Sequence, residues 1–235
     1  STGNYHQRTA RLYTDFGLLT CQEEICEDVN DVFAQLTGLG KASKLRHLWQ
    51  SPFTLHQRLV KAIQNETEIA KSGKKARIIA KMNALLDSDI IRALYDASAA
   101  GVEIDLIVRG VCALKPGIPG VSENIRVRSI VGRFLEHTRI FYFYNNRAED
   151  VYLASADWMY RNFFRRIEVC LPILDAKVKK RVIREGLEPY LKDNMNAWEM
   201  LPDGTYKLRP TRRGTAFSAQ NFLIQELGQD LPAEI

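Results

Sequence analysis

The sequence predicts an α/β protein: a mixed sheet flanked by helices, with the remnant of a second, similar half at its N-terminal end. Three observations carry that expectation. Strand-like apolar runs alternate with amphipathic helical stretches between residues 54 and 108. The links between them are short, which favours largely parallel pairing. Small polar turns occur twice, at Ser1-Thr2-Gly3-Asn4-Tyr5 and at Ala154-Ser155-Ala156-Asp157-Trp158, as expected of a two-halved site.

Residues 10–19 read as a strand, with Leu12, Phe16 and Leu18 among β-formers. Residues 23–36 read as a helix, because Ile25, Val29, Val32, Phe33 and Leu36 recur at three- and four-residue spacings. Gly38-Leu39-Gly40-Lys41 breaks it, and an extended run follows at 44–49. Thr54 is placed to cap a long helix with the stripe Leu55, Leu59, Ile63 and Ile69, ended by Gly73-Lys74-Lys75. A strand at 76–82, a helix at 87–99 and a strand at 102–108 come next. The helix opens Asp87-Ser88-Asp89, acids that suit the positive end of its dipole.

Beyond the turn Gly117-Ile118-Pro119-Gly120, shorter strands are expected at 125–131, 139–144, 151–153 and 166–172. Residues 175–191 read as a basic amphipathic helix with Val178, Val182, Ile183, Leu187 and Leu191 inward and a solvated cationic face. A hairpin at 197–201 and 206–208 turns around Asp203-Gly204. Pro210-Thr211-Arg212-Arg213-Gly214 is a basic segment, and a closing helix is expected at 218–227.

At 235 residues the chain can bury a substantial core as one large domain or two small ones. With 46% apolar and 26% charged residues it has the composition of an ordinary globular protein. A net charge of +5 permits an anionic partner without requiring one. Cys21, Cys26, Cys112 and Cys170 are scattered, with no CxxC pair and no neighbouring His. That argues for reduced thiols in a cytoplasmic protein and against a zinc site or disulfide framework. No apolar run approaches membrane-spanning length, and peripheral membrane association stays open. A start at Ser1, inside a motif-like turn, is expected of an excised fragment.

The chemistry concentrates at Leu135-Glu136-His137-Thr138-Arg139, which runs into Ile140-Phe141-Tyr142-Phe143-Tyr144. Residues two apart on an extended segment project to the same side, so His137 and Arg139 are expected to meet. A guanidinium grips phosphate oxygens in a fork while an imidazole attacks or shuttles a proton. A lone His before an apolar run is more often a hydrogen-bonded strand-end residue, and a lone Arg a solvated charge. Company shifts the balance: Arg109-Gly110 and Lys81-Met82-Asn83 end other strands, and Arg161, Arg165 and Arg166 follow the second turn. Such cations at strand ends are expected around a ligand cleft. His6, His47 and His56 lack comparable company and read as surface or core histidines.

Several stretches resemble the carboxy-terminal half of bacterial polyphosphate kinase of the first type. They are Thr2-Gly3-Asn4-Tyr5, Thr9-Ala10-Arg11-Leu12-Tyr13-Thr14-Asp15, Leu106-Ile107-Val108-Arg109-Gly110 and Ile125-Arg126-Val127-Arg128-Ser129-Ile130-Val131. Leu135-Glu136-His137, Ala156-Asp157-Trp158-Met159 and Arg166-Ile167-Glu168-Val169 complete the series, in the family's order and to about Leu191. The resemblance implies a phospholipase D-like fold of two related halves, with residues 1–46 the remnant of the first and 47–235 the second. It implies reversible transfer of the ATP γ-phosphate to inorganic polyphosphate through a phosphohistidine. The nucleophilic His is expected upstream of Thr2, so the chain alone is expected to be inactive.

The resemblance carries over Tyr13, Arg109 and His137 as nucleotide-contacting positions, with His137 as acid/base or phosphate-orienting partner. Arg139 and Arg166 are expected to neutralise phosphate, and Lys81 and Asn83 to line the same cleft. ATP or ADP is the expected nucleotide, with Mg2+ held upstream and no metal ligand in this chain. A homo-oligomer is expected of the full-length protein. Arg139 stands where phospholipases D usually carry Lys, and no Asp follows shortly after it. Both departures favour the kinase over a phospholipase D-type phosphodiesterase. The other rival is a non-enzymatic polyanion- or nucleic-acid-binding module.

Overall fold

A computed structural model describes residues 1–38, 44–209 and 216–228. The chain runs α1 (Gln7–Ala10), β1 (Tyr13–Thr14), α2 (Glu23–Leu36), β2 (Trp49–Gln50), α3 (Leu55–Lys71), β3 (Arg77–Met82), α4 (Ser88–Ala99) and β4 (Glu103–Val108). It continues through β5 (Ile125–Ile130), β6 (Leu135–Glu136), β7 (Ile140–Phe143), β8 (Asp150–Ala154), α5 (Tyr160–Phe164) and β9 (Val169–Pro172). It ends with α6 (Ala176–Gly186), α7 (Glu188–Lys192), β10 (Ala197–Met200), β11 (Tyr206–Leu208) and α8 (Ala219–Gly228).

The main sheet has the order β11-β10-β5-β4-β3-β7-β8-β9-β2. Pairing is parallel for β3–β4 and β4–β5, the strands joined by crossovers, and antiparallel elsewhere, so the sheet is mixed. β1 and β6 form a separate parallel pair, Tyr13 opposite Leu135 and Thr14 opposite Glu136.

Strand alternation sends successive side chains to two helical layers. Ile78, Ala80, Met82, Ile104, Leu106 and Val108 face α3 and α4, where Leu55, Leu59, Ile63, Ile90 and Leu94 close the first core. Ile79, Ile107, Ile130, Ile140, Tyr142 and Leu153 face Val182, Tyr190 and Ala219 of the α6–α8 layer. Lys81 stands on this second face, in line with Ile79. Because β7 is antiparallel to β3 and β8 to β7, Lys81 lies opposite Ile140 and Ile140 opposite Leu153. The carboxyl ends of β3, β4 and β8 and the start of β7 therefore meet at one edge of the sheet.

Several elements differ from the sequence pattern for local reasons. The expected strand at 10–19 shrinks to Tyr13–Thr14 because β6 offers only two pairing positions. The residues before it form α1, whose first turn is closed by the His6 ring accepting from the Arg8 amide. Residues 44–48 are not a strand, since the Asp28 carboxylate of α2 accepts the Arg46, His47 and Leu48 amides. Thr54 precedes α3, but its hydroxyl accepts from the Gln50 amide instead of capping the helix. The helix expected over 175–191 is broken at Leu187, where Pro189 enters the first turn of α7 and has no amide proton to continue α6. Gly186, the last residue of α6, must be glycine because a Cβ there would collide with the Ile140 side chain. Leu39, Gly40 and Lys41 of the expected break, and the basic run at 210–214, lie outside the described residues.

One buried acid organises the far end of the second face. Asp105 accepts from Arg126 Nε at 2.9 Å and Arg77 Nη2 at 3.1 Å, with Arg128 Nη2 at 3.5 Å. Burial by itself would raise its carboxyl, but these guanidiniums hold it below the usual carboxylate value of 3.8. A depressed folded value stabilises the fold above the unfolded value, and that contribution disappears as pH falls through the folded one. Asp105→Asn is therefore expected to lose roughly 3 kcal/mol at neutral pH, at the low end for a broken buried pair because Arg126 is half-exposed. The gap between the melting curves should close as pH drops below 3.8. Thermal unfolding of both proteins over pH 2–7 checks this; parallel curves would refute it.

Candidate active site

His137 and Arg139 lie in the link between β6 and β7, and their side chains meet as the two-residue spacing predicts. The link is fastened to β1: Thr138 Oγ1 donates to Thr14 O at 3.0 Å and the His137 amide to Thr14 Oγ1 at 3.4 Å. Parallel pairing of β1 with β6 carries the next residue, Asp15, alongside His137. Asp15 Oδ1 lies 3.0 Å from His137 Nδ1, and the Tyr13 and His137 ring centroids are 5.1 Å apart. Asp15 is steadied by Thr2 Oγ1, which donates to Oδ1 at 2.7 Å. Gly3 makes this possible, since a Cβ there would fall on the Asp15 carboxylate. The first small-residue turn is thus explained by close approach.

Arg139 is buried, and its N–H groups are committed. Nε and Nη2 donate to the two Asp157 oxygens at 3.1 and 3.0 Å, and Nη1 donates to Thr2 O at 2.8 Å and His137 O at 3.0 Å. Nη1 also lies 3.3 Å from His137 Nδ1 and 3.0 Å from Nε2, a position over the ring and not at one lone pair. With Asp15 as acceptor, Nδ1 carries the proton and the Nε2 lone pair is left for chemistry. Asp157 Oδ1 further accepts from the Asn83 amide at 2.7 Å. Asn83 Oδ1 in turn accepts from Arg109 Nε at 3.2 Å. The two terminal nitrogens of Arg109 have no partner among the described residues.

Tyr13, Asn83, Arg109, His137 and Arg139 therefore form one cluster at the sheet edge. Lys81, expected to line the cleft, is buried beneath it, with Nζ 2.7 Å from Glu136 Oε2 and 3.3 Å from the Tyr190 ring centroid. An apolar strand face and a full-length side chain carry it inward. Arg139, expected to neutralise phosphate, instead holds protein groups together. Arg166 is exposed between α5 and β9, and no contact among the described residues joins it to the cluster. A cleft of about 550 Å³ between residues 10–17 and α8 shares Tyr13 and Asp15 but contains neither His137 nor Arg109.

Asp15, Thr2, Asp157 and Glu136 are site residues that the sequence reading did not select. Asp15 was open to discovery, since it alternates with Tyr13 and shares its face. Its partner, however, lies 122 positions away. The other histidines have partners of their own: His47 with Glu24, and His56 with Asp87 and the Phe163 and Phe164 rings.

Comparison with known proteins gives this geometry a family. Residues 48–220 match the model described as polyphosphate kinase C-terminal domain 2, and residues 1–42 match C-terminal domain 1. The chain belongs to the polyphosphate kinase family. It is 66% identical over 208 residues to a polyphosphate kinase of Burkholderia lata, covering 88% of this chain and 30% of that protein. It is 62% identical over 228 residues to one of Paraburkholderia phytofirmans, covering 97% of this chain and 33% of that protein. The crystal structure of polyphosphate kinase from Porphyromonas gingivalis superposes with a TM-score of 0.92 at 38% identity, over 97% of this chain and 35% of that one. The chain thus spans about a third of the length of these polyphosphate kinases.

The bidentate Arg139–Asp157 pair gives this kinase-family cluster a sharp stability signature. Asp157→Ala strips partners from a buried guanidinium and from the Asn83 amide together, and is expected to cost about 3–5 kcal/mol. Asp157→Asn should cost less, because its carbonyl still accepts from the Asn83 amide. Urea titration followed by circular dichroism measures both; equal midpoints for wild type and Asp157→Ala would contradict the assignment.

Proposed function

We propose that this chain forms the C-terminal part of an ATP:polyphosphate phosphotransferase, reversible in direction, with His137 as its acid/base residue. The observation that carries the reading is the Asp15–His137 contact, linked through Arg139, Asp157 and Asn83 to Arg109, in a chain of this family. Residues 1–46 would be the end of one catalytic half and 47–235 the second half.

In the proposed reaction a histidine of the first half attacks the γ-phosphorus of ATP. The bond from that phosphorus to the bridging oxygen breaks and ADP leaves. A terminal oxygen of polyphosphate then attacks the phosphohistidine, lengthening the chain by one phosphate and freeing the histidine. Charge spreads over the equatorial oxygens during transfer, so a preorganised cation there lowers the barrier. Arg109 fits that role, with both terminal nitrogens unpaired among the described residues and Nε fixed on Asn83. His137 would exchange a proton with the bridging oxygen through Nε2, Nδ1–H being held by Asp15. Tyr13 would contact the nucleotide from the neighbouring position. Arg166, exposed and unpaired among the described residues, is proposed as a contact for a polyanionic chain.

Magnesium is expected with ATP, but the carboxylates at this cluster do not suit it. Asp15 is engaged by Thr2 and His137, Asp157 by Arg139 and the Asn83 amide, and Glu136 by Lys81, Thr14 and Gln220. No helix among the described residues is long and apolar enough to cross a membrane. A cytoplasmic location is part of the proposal. A homo-oligomer of the full-length protein is part of the same proposal.

Activity and stability must be read on the same preparations of the full-length protein. His137→Ala is expected to lower ATP-dependent polyphosphate synthesis by roughly 10²–10⁴-fold with little change in melting temperature. Arg109→Ala should raise the KM for nucleotide and lower kcat, and Arg109→Lys should rescue only in part, since an ammonium has no two-pronged grip. A destabilised but fully active His137→Ala protein would overturn the catalytic role. Salt-sensitive polyanion binding without synthesis would favour the binding-module reading.

A further inference from the structure

We propose that the buried Lys81–Glu136 ion pair is a positioning device for His137, acting through Thr14. Glu136 precedes His137, and its carboxylate is the meeting point of several elements. Lys81 of β3 approaches Oε2 at 2.7 Å, Thr14 of β1 donates to Oε2 at 2.8 Å, and Gln220 of α8 donates to Oε1 at 2.6 Å. Tyr190 of α7 sets its ring 3.3 Å from the ammonium. The Thr14 hydroxyl that donates to Glu136 also accepts from the His137 amide at 3.4 Å. One hydroxyl thus fixes both the height of His137 and the strand that presents Asp15.

A lysine on the apolar second face calls for an explanation other than stability. Both charges are buried, and burying an ion pair gains little over apolar side chains of the same length. Desolvation pulls the Lys81 ammonium below its usual value of 10.5, while Glu136 and Asp15 favour its charged form. What the pair supplies is register: it locks β6 to β1, so that Asp15 falls on Nδ1 and Nε2 is left without the proton. This inference rests on the reading of His137 as the acid/base residue.

Three variants of the full-length protein test it, each read by melting temperature, by kcat and KM for ATP, and by 15N signals of the His137 ring. Those signals are assigned by their loss in His137→Gln. Wild type is expected to show one tautomer, protonated on Nδ1. Lys81→Met strands a buried carboxylate and should lower the melting temperature, lower kcat by roughly 10²-fold with KM nearly unchanged, and mix the tautomers. The double variant Lys81→Met with Glu136→Met removes both charges at constant side-chain length. It should recover most of the melting temperature but not kcat or the single tautomer, because Thr14 has lost its acceptor. If kcat and the ring signals return along with stability, the pair is only structural and the proposal fails. Should the double variant not fold, Thr14→Val decides: the same kcat loss and mixed tautomers support the proposal, and wild-type values refute it. Ring signals that respond as expected in a protein making no polyphosphate would overturn the proposed function while leaving the positioning role intact.

Discussion

The site depends on a single buried guanidinium. Arg139 joins the carboxyl end of β8, through Asp157, to the first residues of the chain, through Thr2 O, and lies over the His137 ring. A bidentate arginine–carboxylate pair is directional as well as attractive, so it fixes the plane in which the other contacts form. An ammonium here would supply charge without that plane. With Arg139 in place, Asp157 reaches the Asn83 amide and Asn83 reaches Arg109, so His137 and Arg109 keep a fixed separation through protein groups alone.

The fold makes this economy possible by collecting strand ends. Parallel β3 and β4 bring Asn83 and Arg109 to one edge, and the antiparallel β7 and β8 bring Arg139 and Asp157 to the same edge. Ligand sites in open α/β sheets form at the carboxyl ends of parallel strands, and this edge follows that rule. The cations divide by burial into two kinds. Lys81 and Arg139 are enclosed and paired, so their charge organises the protein; Arg109 keeps its terminal nitrogens, and Arg166 its whole guanidinium, without a partner among the described residues. A formal count of basic residues does not separate the two.

Much of the architecture was written in local pattern. The stripe Leu55, Leu59, Ile63 builds α3, the apolar runs at 77–82 and 103–108, buried on both faces, build β3 and β4, and Asp87 caps α4 by accepting from the Ile90 amide. Periodicity reports such elements because each is decided by which face is buried, a property of neighbouring residues. It failed across most of 10–19 and at 44–48, where apolar content was present but amides such as those of Phe16, Arg46, His47 and Leu48 found side-chain partners. It failed again at Leu187, where Pro189 outweighed the helical stripe.

By itself the sequence determined an α/β chain with a mixed sheet, the resemblance to a phosphotransfer family, and His137 and Arg109 as residues of interest. Tertiary structure alone decided that Asp15 reaches His137, that Arg139 serves Asp157, and that Lys81 lies under the cleft against Glu136. The physical reason is the range of the interactions. Amphipathic faces and caps are set within a few residues, whereas the role of a charge depends on its partner and its exposure. Those are fixed by strand order and register across the sheet, between residues as distant as Thr2 and Arg139, 137 positions apart.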